Sequence, residues 1–186
     1  MKKILIAVGL VLVMATSALA INKGQSELNL YGAIGETTTK AKGASSQTSD
    51  DFTTRIGYGY FFTDAFSLGA DIDYNYSKSQ GSSDGTNTIY TLLTTKYHFM
   101  PKNTLVPYIG AQLGGYFMDA GSNLSSTGFA YGALGGIKYF LTENASINAE
   151  LNFLGMSTTT KASGRSYDAD MTRLQAMFGL SYYFGK

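Results

Sequence analysis

The chain has 186 residues, with 14 basic and 13 acidic side chains, 14 tyrosines, 11 phenylalanines and no cysteine or tryptophan. This balanced charge disfavours a nucleic-acid partner, which would require a basic stripe. The lack of cysteine excludes disulfides and thiolate metal sites.

The N-terminal segment has the three parts of a secretory signal peptide. Lys2 and Lys3 form a positive start, residues 4–13 are apolar, and Ala18 and Ala20 give the small-x-small pattern of a cleavage site. This apolar run is too short to span a membrane as a helix. We predict a signal peptide at residues 1–20 and one mature domain at residues 21–186. An exported domain without disulfides must be stabilised by a large core, by a membrane or by closure of a barrel.

Behind this leader, eight segments alternate apolar with polar or small residues, which is the period of a β-strand. The predicted strands are residues 27–37, 52–62, 66–76, 89–99, 107–117, 129–141, 145–153 and 174–184. The hairpin at residues 129–153 shows the pattern most clearly, because one face is apolar and the other carries Lys138 and Glu150. A soluble sheet would expose that second face to water, whereas a transmembrane barrel would turn it into the lumen.

The connections between these strands alternate strictly in length. Long polar connections are predicted at residues 40–50, 78–86, 118–127 and 157–170, and short turns at 63–65, 100–105 and 142–144. Outer-membrane barrels have short periplasmic turns and longer extracellular loops, whereas a Greek-key sandwich has no reason to keep this order. The order therefore predicts an all-β, eight-stranded antiparallel up-and-down transmembrane β-barrel, with a soluble β-sandwich as the alternative.

Aromatic residues cluster at both ends of the predicted strands. Phe62, Phe66, Tyr97, Phe99, Tyr139 and Phe184 lie by the short turns, and Tyr74, Tyr76, Phe117, Phe129 and Tyr131 lie by the long connections. Two such girdles are typical of the two membrane interfaces of a barrel.

Five stretches resemble the small eight-stranded outer-membrane β-barrel family, which includes the OmpA membrane domain and the OmpX/Ail adhesion proteins. They are RIGYGYFFT at 55–63, LGAD at 68–71, PYIGA at 107–111, GALGGIKY at 132–139 and GLSYYF at 179–184. The resemblance implies export to the bacterial outer membrane through the general secretory pathway. It also implies an aromatic assembly signal, here Tyr182 and Phe184, for the barrel-assembly machinery. Gly185 and Lys186 follow Phe184 and displace that signal by two residues.

Seven charged residues are predicted to face the lumen, four of them near mid-height, with Lys96 and Lys138 somewhat nearer the short turns and Arg173 nearer the long connections. The seven are Arg55, Asp71, Asp73, Lys96, Lys138, Glu150 and Arg173. Arg55 should lie opposite or diagonal to Asp73 or Asp71, and Lys138 diagonal to Glu150. Buried charges require partners, and an eight-stranded interior is just wide enough for side chains to fill. We therefore interpret the seven as a plug of salt bridges, with a conducting pore as the alternative.

These features favour a non-enzymatic outer-membrane protein that serves envelope integrity and is a candidate for surface adhesion through its long loops. A small porin-like channel for ions or small solutes is the alternative. The lipid A enzymes of this architecture require a catalytic pair at the outer leaflet, whereas the single histidine, His98, is predicted beside a short periplasmic turn. We expect no cofactor or metal, a monomer, and contacts with outer-membrane lipid, lipopolysaccharide and host or environmental surfaces.

Overall fold

The computed structural model describes residues 21–41, 47–78, 85–119, 125–162 and 165–185. Eight antiparallel strands form a closed barrel in sequence order, as predicted. The strands are β1 (Ser26–Ala41), β2 (Gln47–Phe61), β3 (Phe66–Lys78), β4 (Thr86–His98), β5 (Leu105–Asp119), β6 (Ser125–Thr142), β7 (Ala145–Ala162) and β8 (Arg165–Phe184). No helix in these residues is long and apolar enough to cross a membrane. The predicted signal peptide, with Ala18 and Ala20, lies outside the described residues.

Pairing of the first strand with the last closes the barrel. Ser26 of β1 lies opposite Tyr60 of β2 on one side and Phe184 of β8 on the other. Every strand therefore has two neighbours, so the sheet has no open edge on which another chain could add a strand.

The period-two pattern separates two chemically different faces. The outer face carries apolar side chains that are largely exposed, such as Leu30 at 56%, Ile56 at 60% and Phe178 at 64%. The inner face buries polar and charged side chains, including Arg55 and Asp73. A water-soluble protein rarely exposes so large a continuous apolar surface. The arrangement instead suits a barrel with lipid outside and polar side chains within.

The long connections are shorter than the sequence pattern predicts, so those boundaries were wrong in three cases. Strand β1 continues to Ala41 and β2 begins at Gln47, while β7 continues to Ala162 and β8 begins at Arg165. Strands β5 and β6 likewise extend into the predicted 118–127 connection. Beyond the apolar band both faces of a strand are polar, so the alternation disappears while the backbone ladder continues. Threonine, which is favoured in strands, is frequent there, and Thr38 pairs with Thr48.

The segment before β1 folds under the short-turn end of the barrel and closes it. Ile21 is fully buried in a cluster with Phe61, Val106, Phe140 and Tyr183. The Ile21 N–H donates to the Pro101 carbonyl at 2.9 Å, and Lys102 Nζ donates to the Ile21 carbonyl at 2.9 Å. The apolar side chain of Ile21 therefore closes the short-turn end of the barrel.

An ion pair between two short turns fastens this basal segment. Lys102 Nζ lies 2.9 Å from Asp64 Oδ2, and the Lys23 N–H donates to Asp64 Oδ1 at 2.7 Å. These two donors hold the pKa of Asp64 below its ordinary value. The contact therefore stabilises the folded chain above that ordinary pKa, and the stabilisation is lost as the pH falls through the lowered value.

A charge on the outer face should test the assignment of that face to lipid. Ile56→Arg, about halfway along β2, should lower the free energy of unfolding by about 2–4 kcal/mol, because it places a cation in hydrocarbon. Urea unfolding in lipid vesicles, followed by circular dichroism, measures this loss. Glu143→Arg, in the exposed β6–β7 turn, is the control and should change stability by less than about 0.5 kcal/mol. Equal effects of the two substitutions would contradict a lipid-facing Ile56.

Candidate functional site in the barrel lumen

Arg55 occupies the middle of the lumen and connects three strands. Its Nε and Nη2 donate to the two carboxylate oxygens of Asp73 on β3, at 2.6 and 2.9 Å. Its Nη1 donates to Glu150 Oε1 on β7 at 2.9 Å. All three side chains are fully buried. Arg55 and Asp73 are also direct partners across the β2–β3 ladder, which is one of the two pairings predicted from the sequence.

Arg173, on β8, also binds the carboxylate of Asp73. Its Nη2 donates to Asp73 Oδ2 at 3.2 Å, and its guanidinium carbon lies 4.1 Å from the centre of the Tyr90 ring. This cation–π contact stabilises a guanidinium that is removed from water. Asp73 thus accepts hydrogen bonds from two arginines on different sides of the barrel.

Glu150 contacts three further side chains besides Arg55, and one of them is Asn152, whose Nδ2 donates to Oε1 at 3.4 Å. Tyr108 donates its hydroxyl to Glu150 Oε2 at 2.9 Å, and Lys96 Nζ lies 3.7 Å from the same oxygen. Lys96 also lies near the rings of Tyr31 and Tyr108, at 5.9 and 5.4 Å from their centres. The lysine is therefore held by a carboxylate and two aromatic faces rather than by one short ion pair.

Lys138 pairs with Glu27, a partner that the sequence prediction did not include. The register places Gly136 opposite Glu150, so Lys138 is diagonal to Glu150 as predicted. Its ammonium nevertheless hydrogen-bonds Glu27 and the Tyr183 hydroxyl. Glu27 also accepts from Ser181 Oγ at 2.5 Å. Outward-facing Leu28 and Leu30 give a signal that could have identified Glu27 as inward-facing.

Asp71 differs from the other acidic residues of the predicted set. Within the described part of the chain, no lysine or arginine nitrogen lies within 4 Å of its carboxylate. Its Oδ2 accepts from Thr94 Oγ1 at 2.5 Å and from Gln112 Nε2 at 3.4 Å. Gln112 in turn accepts from Asn152 at 2.6 Å. The structure thus joins Asp71 to neutral polar side chains and not to an ion pair.

Glycines on the inner wall make room for the large tyrosines of the lumen. A Cβ at Gly136 would lie 2.7 Å from the Tyr108 hydroxyl oxygen, and a Cβ at Gly179 would lie 2.6 Å from the Tyr31 ring. Both distances are shorter than real contacts allow. The two tyrosine rings therefore lie directly against the glycine backbone of the adjacent strand, where Gly136 is the ladder partner of Tyr108 and Gly179 that of Tyr31.

Two apolar clusters adjoin the charged residues. One consists of Tyr90, Leu92, Tyr116, Ala130, Leu154, Met156 and Met171. It lies beside the charges, because Leu92 is opposite Asp71 and Leu154 is opposite Arg173 in the ladder. The other cluster, around Ile21, forms a basal layer that closes the short-turn end.

His98 lies in the basal layer. Its side chain is fully buried, its Nδ1 is 3.3 Å from the Ala65 carbonyl oxygen, and its ring lies 5.0 Å from that of Phe61. The expected position beside a short turn is correct, but the ring points into the lumen. In the described ranges, no three His, Asp or Glu side chains are grouped so that they could hold a metal ion.

The predicted assembly signal lies on the outer face of the last strand. Tyr182 and Phe184 are 56% and 42% exposed, with ring centres 6.2 Å apart. Strand β8 ends at Phe184, and Gly185 has a φ of +81°, which glycine adopts without strain. The aromatic residue therefore ends the strand even though the chain continues beyond it.

Removal of Arg55 should show how strongly the lumen depends on it. Arg55→Met leaves Asp73 and Glu150 buried with fewer donors, and breaking a buried ion pair costs about 3–5 kcal/mol. Lys102→Met, which removes a half-exposed cation, should cost about 1 kcal/mol or less. Urea unfolding of both variants in the same vesicles measures the difference. A cost below about 1 kcal/mol for Arg55→Met would mean that water already solvates these carboxylates.

The chain matches the family model of the outer membrane protein beta-barrel domain over residues 6–185. It is 26% identical over 166 residues to an uncharacterized protein of Haemophilus influenzae, an alignment that covers 82% of this chain and 89% of that protein.

Two solved structures show the same fold. OprG from Pseudomonas aeruginosa superposes with a TM-score of 0.56 and 17% identity, over 91% of this chain and 100% of OprG. The outer membrane enzyme PagL superposes with a TM-score of 0.52 and 17% identity, over 80% of this chain and 97% of PagL. The family match confirms the resemblance found in the sequence. This chain belongs to the outer membrane protein β-barrel family, whose place is the bacterial outer membrane.

Proposed function

We propose that this protein is a non-enzymatic outer-membrane barrel with a closed, charge-plugged lumen that supports envelope integrity. The observation that carries the proposal is the hydrogen bonding of Arg55 across the lumen to Glu150, together with that of Arg173 to Asp73. These contacts join opposite walls at mid-height, where an eight-stranded interior has little space beyond its own side chains.

The balance of buried charge supports the plug. Among the described residues, the buried cations are Arg55, Lys96, Lys138 and Arg173, and the buried carboxylates are Glu27, Asp51, Asp71, Asp73 and Glu150. Glu27, Asp73 and Glu150 pair with these cations, whereas Asp51 and Asp71 accept from neutral side chains. Mobile ions from solution are therefore not required. An ion entering the lumen would have to replace these contacts.

The two apolar clusters also support closure. The cluster around Leu92 and Leu154 fills lumen space beside the charges, and that around Ile21 and Phe61 blocks the short-turn end. Apolar constrictions oppose ion passage because they do not hold water. A small porin-like channel, the alternative function, would require the charged contacts to break and the basal layer to open.

The non-enzymatic part of the proposal rests on the position of His98. PagL shows that this fold can accommodate an enzyme, so the fold alone does not exclude catalysis. His98 is the single histidine of the chain and is buried in the basal layer, by the short turns. It therefore lies away from the outer leaflet, where lipopolysaccharide is found.

The long strands support surface contacts at the opposite end. About 9–11 tilted residues cross the hydrocarbon layer, whereas β7 has 18 residues and β8 has 20. The remainder, residues 157–162 of β7 and 165–170 of β8, has a largely polar sequence and extends beyond the apolar band. We call this end of the barrel the polar collar, and in this architecture that end is extracellular. We propose this collar as the surface that contacts lipopolysaccharide and host or environmental surfaces.

The route to the membrane is also part of the proposal. The leader at residues 1–20 would direct the chain into the general secretory pathway, with cleavage after Ala20. The outer-facing pair Tyr182 and Phe184 at the end of β8 would then be bound by the barrel-assembly machinery during insertion.

Planar-bilayer recording distinguishes the plug from the channel. Purified protein should give no steady conductance, whereas Arg55→Ala should give brief openings whenever the basal layer opens as well, because the guanidinium that joins β2 to β7 across the lumen is gone. Thr54→Ala, which changes the neighbouring lipid-facing residue, is the control and should remain silent. Steady conductance of the unchanged protein that Arg55→Ala reduces would contradict the plug and favour the channel.

The envelope and surface roles can be measured on cells. Loss of the protein should increase sensitivity to detergents and dyes. Expression of the protein should restore resistance, and so should a variant in which residues 42–46 and 79–84 are replaced by short glycine–serine turns. The same variant should lose binding to host cells or matrix proteins if the collar end is adhesive. Unchanged sensitivity on deletion would contradict the envelope role.

A further inference from the structure

A small cavity lies in the lumen wall formed by β1 to β4. Its volume open to a water molecule is about 10 Å³, which is about the smallest space that can hold one. The polar side chains that line it are Glu27, Asn29, Ser67, Asp71, Thr94 and Lys96, and the backbone at Gly59 and Gly69 completes the wall. The cavity separates the Glu27–Lys138 pair from the cluster around Arg55.

One buried oxygen at this cavity lacks a donor, and a carboxylate oxygen beside it has room for one. Asn29 is 4% exposed, and its Oδ1 has no hydrogen-bond partner within the described part of the chain. Asp71 has no ion-pair partner there, and the hydrogen bonds it accepts from side chains both end on Oδ2. Asp71 Oδ1 and Asn29 Oδ1 lie over the same glycine, because a Cβ at Gly57 would clash with both. A buried acceptor without a donor is unfavourable, so a group that donates to Asn29 Oδ1 is expected there.

The charges around the cavity select a neutral occupant. Lys96 would repel a cation, while the carboxylates of Glu27 and Asp71 would repel an anion. Lys96 Nζ is 3.7 Å from Glu150 Oε2, so the ammonium can donate to a closer acceptor in the cavity. The site thus offers two acceptors and one donor to a molecule of minimal size.

We propose that one structural water molecule is bound in this cavity. It donates to Asn29 Oδ1 and Asp71 Oδ1 and accepts from Lys96 Nζ, which are the three hydrogen bonds typical of a buried water. The water links the hydrogen-bonded group around Glu27 to the one around Arg55. This inference concerns the hydrogen bonding of buried polar atoms in the lumen and does not rest on the proposed function.

Gly59→Ala tests the site because its methyl group enters the cavity. A Cβ at Gly59 has no neighbour closer than 4.0 Å, whereas a Cβ at Gly69 would lie 2.4 Å from the Tyr58 carbonyl oxygen. Gly59 can therefore be substituted without a clash. Gly32→Ala is the matched control, because a Cβ on this lipid-facing residue of β1 meets nothing within 4 Å. It measures the intrinsic effect of replacing a strand glycine.

A hydrated cavity and a dry cavity predict opposite changes in the stability of Gly59→Ala relative to Gly32→Ala. If water is bound, Gly59→Ala displaces it and leaves Asn29 and Asp71 without their donor. Its unfolding equilibrium constant should then exceed that of Gly32→Ala by about tenfold, and Gly59→Ser should recover much of the loss through its hydroxyl group. If the cavity is dry, the methyl group fills a void and Gly59→Ala should be at least as stable as the control. That outcome would overturn the proposal.

A high-resolution crystal structure of the unchanged protein provides direct evidence. We expect an electron-density peak within about 3.2 Å of Asn29 Oδ1, Asp71 Oδ1 and Lys96 Nζ. An empty cavity would overturn the proposal. So would a bound cation, which would make the stability of the protein differ between sodium and potassium salts.

Discussion

The buried guanidinium of Arg55 is the constraint on which the interior depends. A cation removed from water is stable only with carboxylates in good geometry, and here Asp73 and Glu150 supply them from the adjacent and the opposite wall. Once Arg55 is placed, Asp73 can also receive Arg173, and Glu150 can receive Tyr108 and Lys96. Together with the Lys138–Glu27 pair, these contacts involve all eight strands. The interior thus fixes the positions of the strands that surround it.

Small and large residues complement each other in this arrangement. Lipid on the outside requires apolar side chains there, so polar and aromatic groups are concentrated within a narrow lumen. Glycines such as Gly136 and Gly179 leave the space that Tyr108 and Tyr31 fill. Tyr108 then donates its hydroxyl to Glu150, and the Tyr31 hydroxyl oxygen lies 3.4 Å from that of Tyr108. The same tyrosine side chains therefore fill the lumen and form hydrogen bonds within it.

The two ends of the barrel have different physical characters. The periplasmic base is closed by apolar packing around Ile21 and by the Lys102–Asp64 contact between turns. The other end extends as long polar strands beyond the apolar band. This difference between the two ends is the reason for proposing that surface contacts are made at the end with the long connections. Function in such a scaffold depends on its connections more than on the shared barrel.

The sequence by itself determined the strand count, the antiparallel order and the alternation of the two faces, and it limited the partner of Arg55 to Asp73 or Asp71. Alternation and turn length are local properties that appear in the order of residues. Only the tertiary structure decided that Lys138 binds Glu27, that Arg173 reaches Asp73, that Asp71 has neutral partners, and that β1, β7 and β8 continue through the predicted loops. Contacts across the lumen depend on how far the strands are staggered when β8 meets β1, and that stagger is set by closure of the whole barrel and not by any single hairpin.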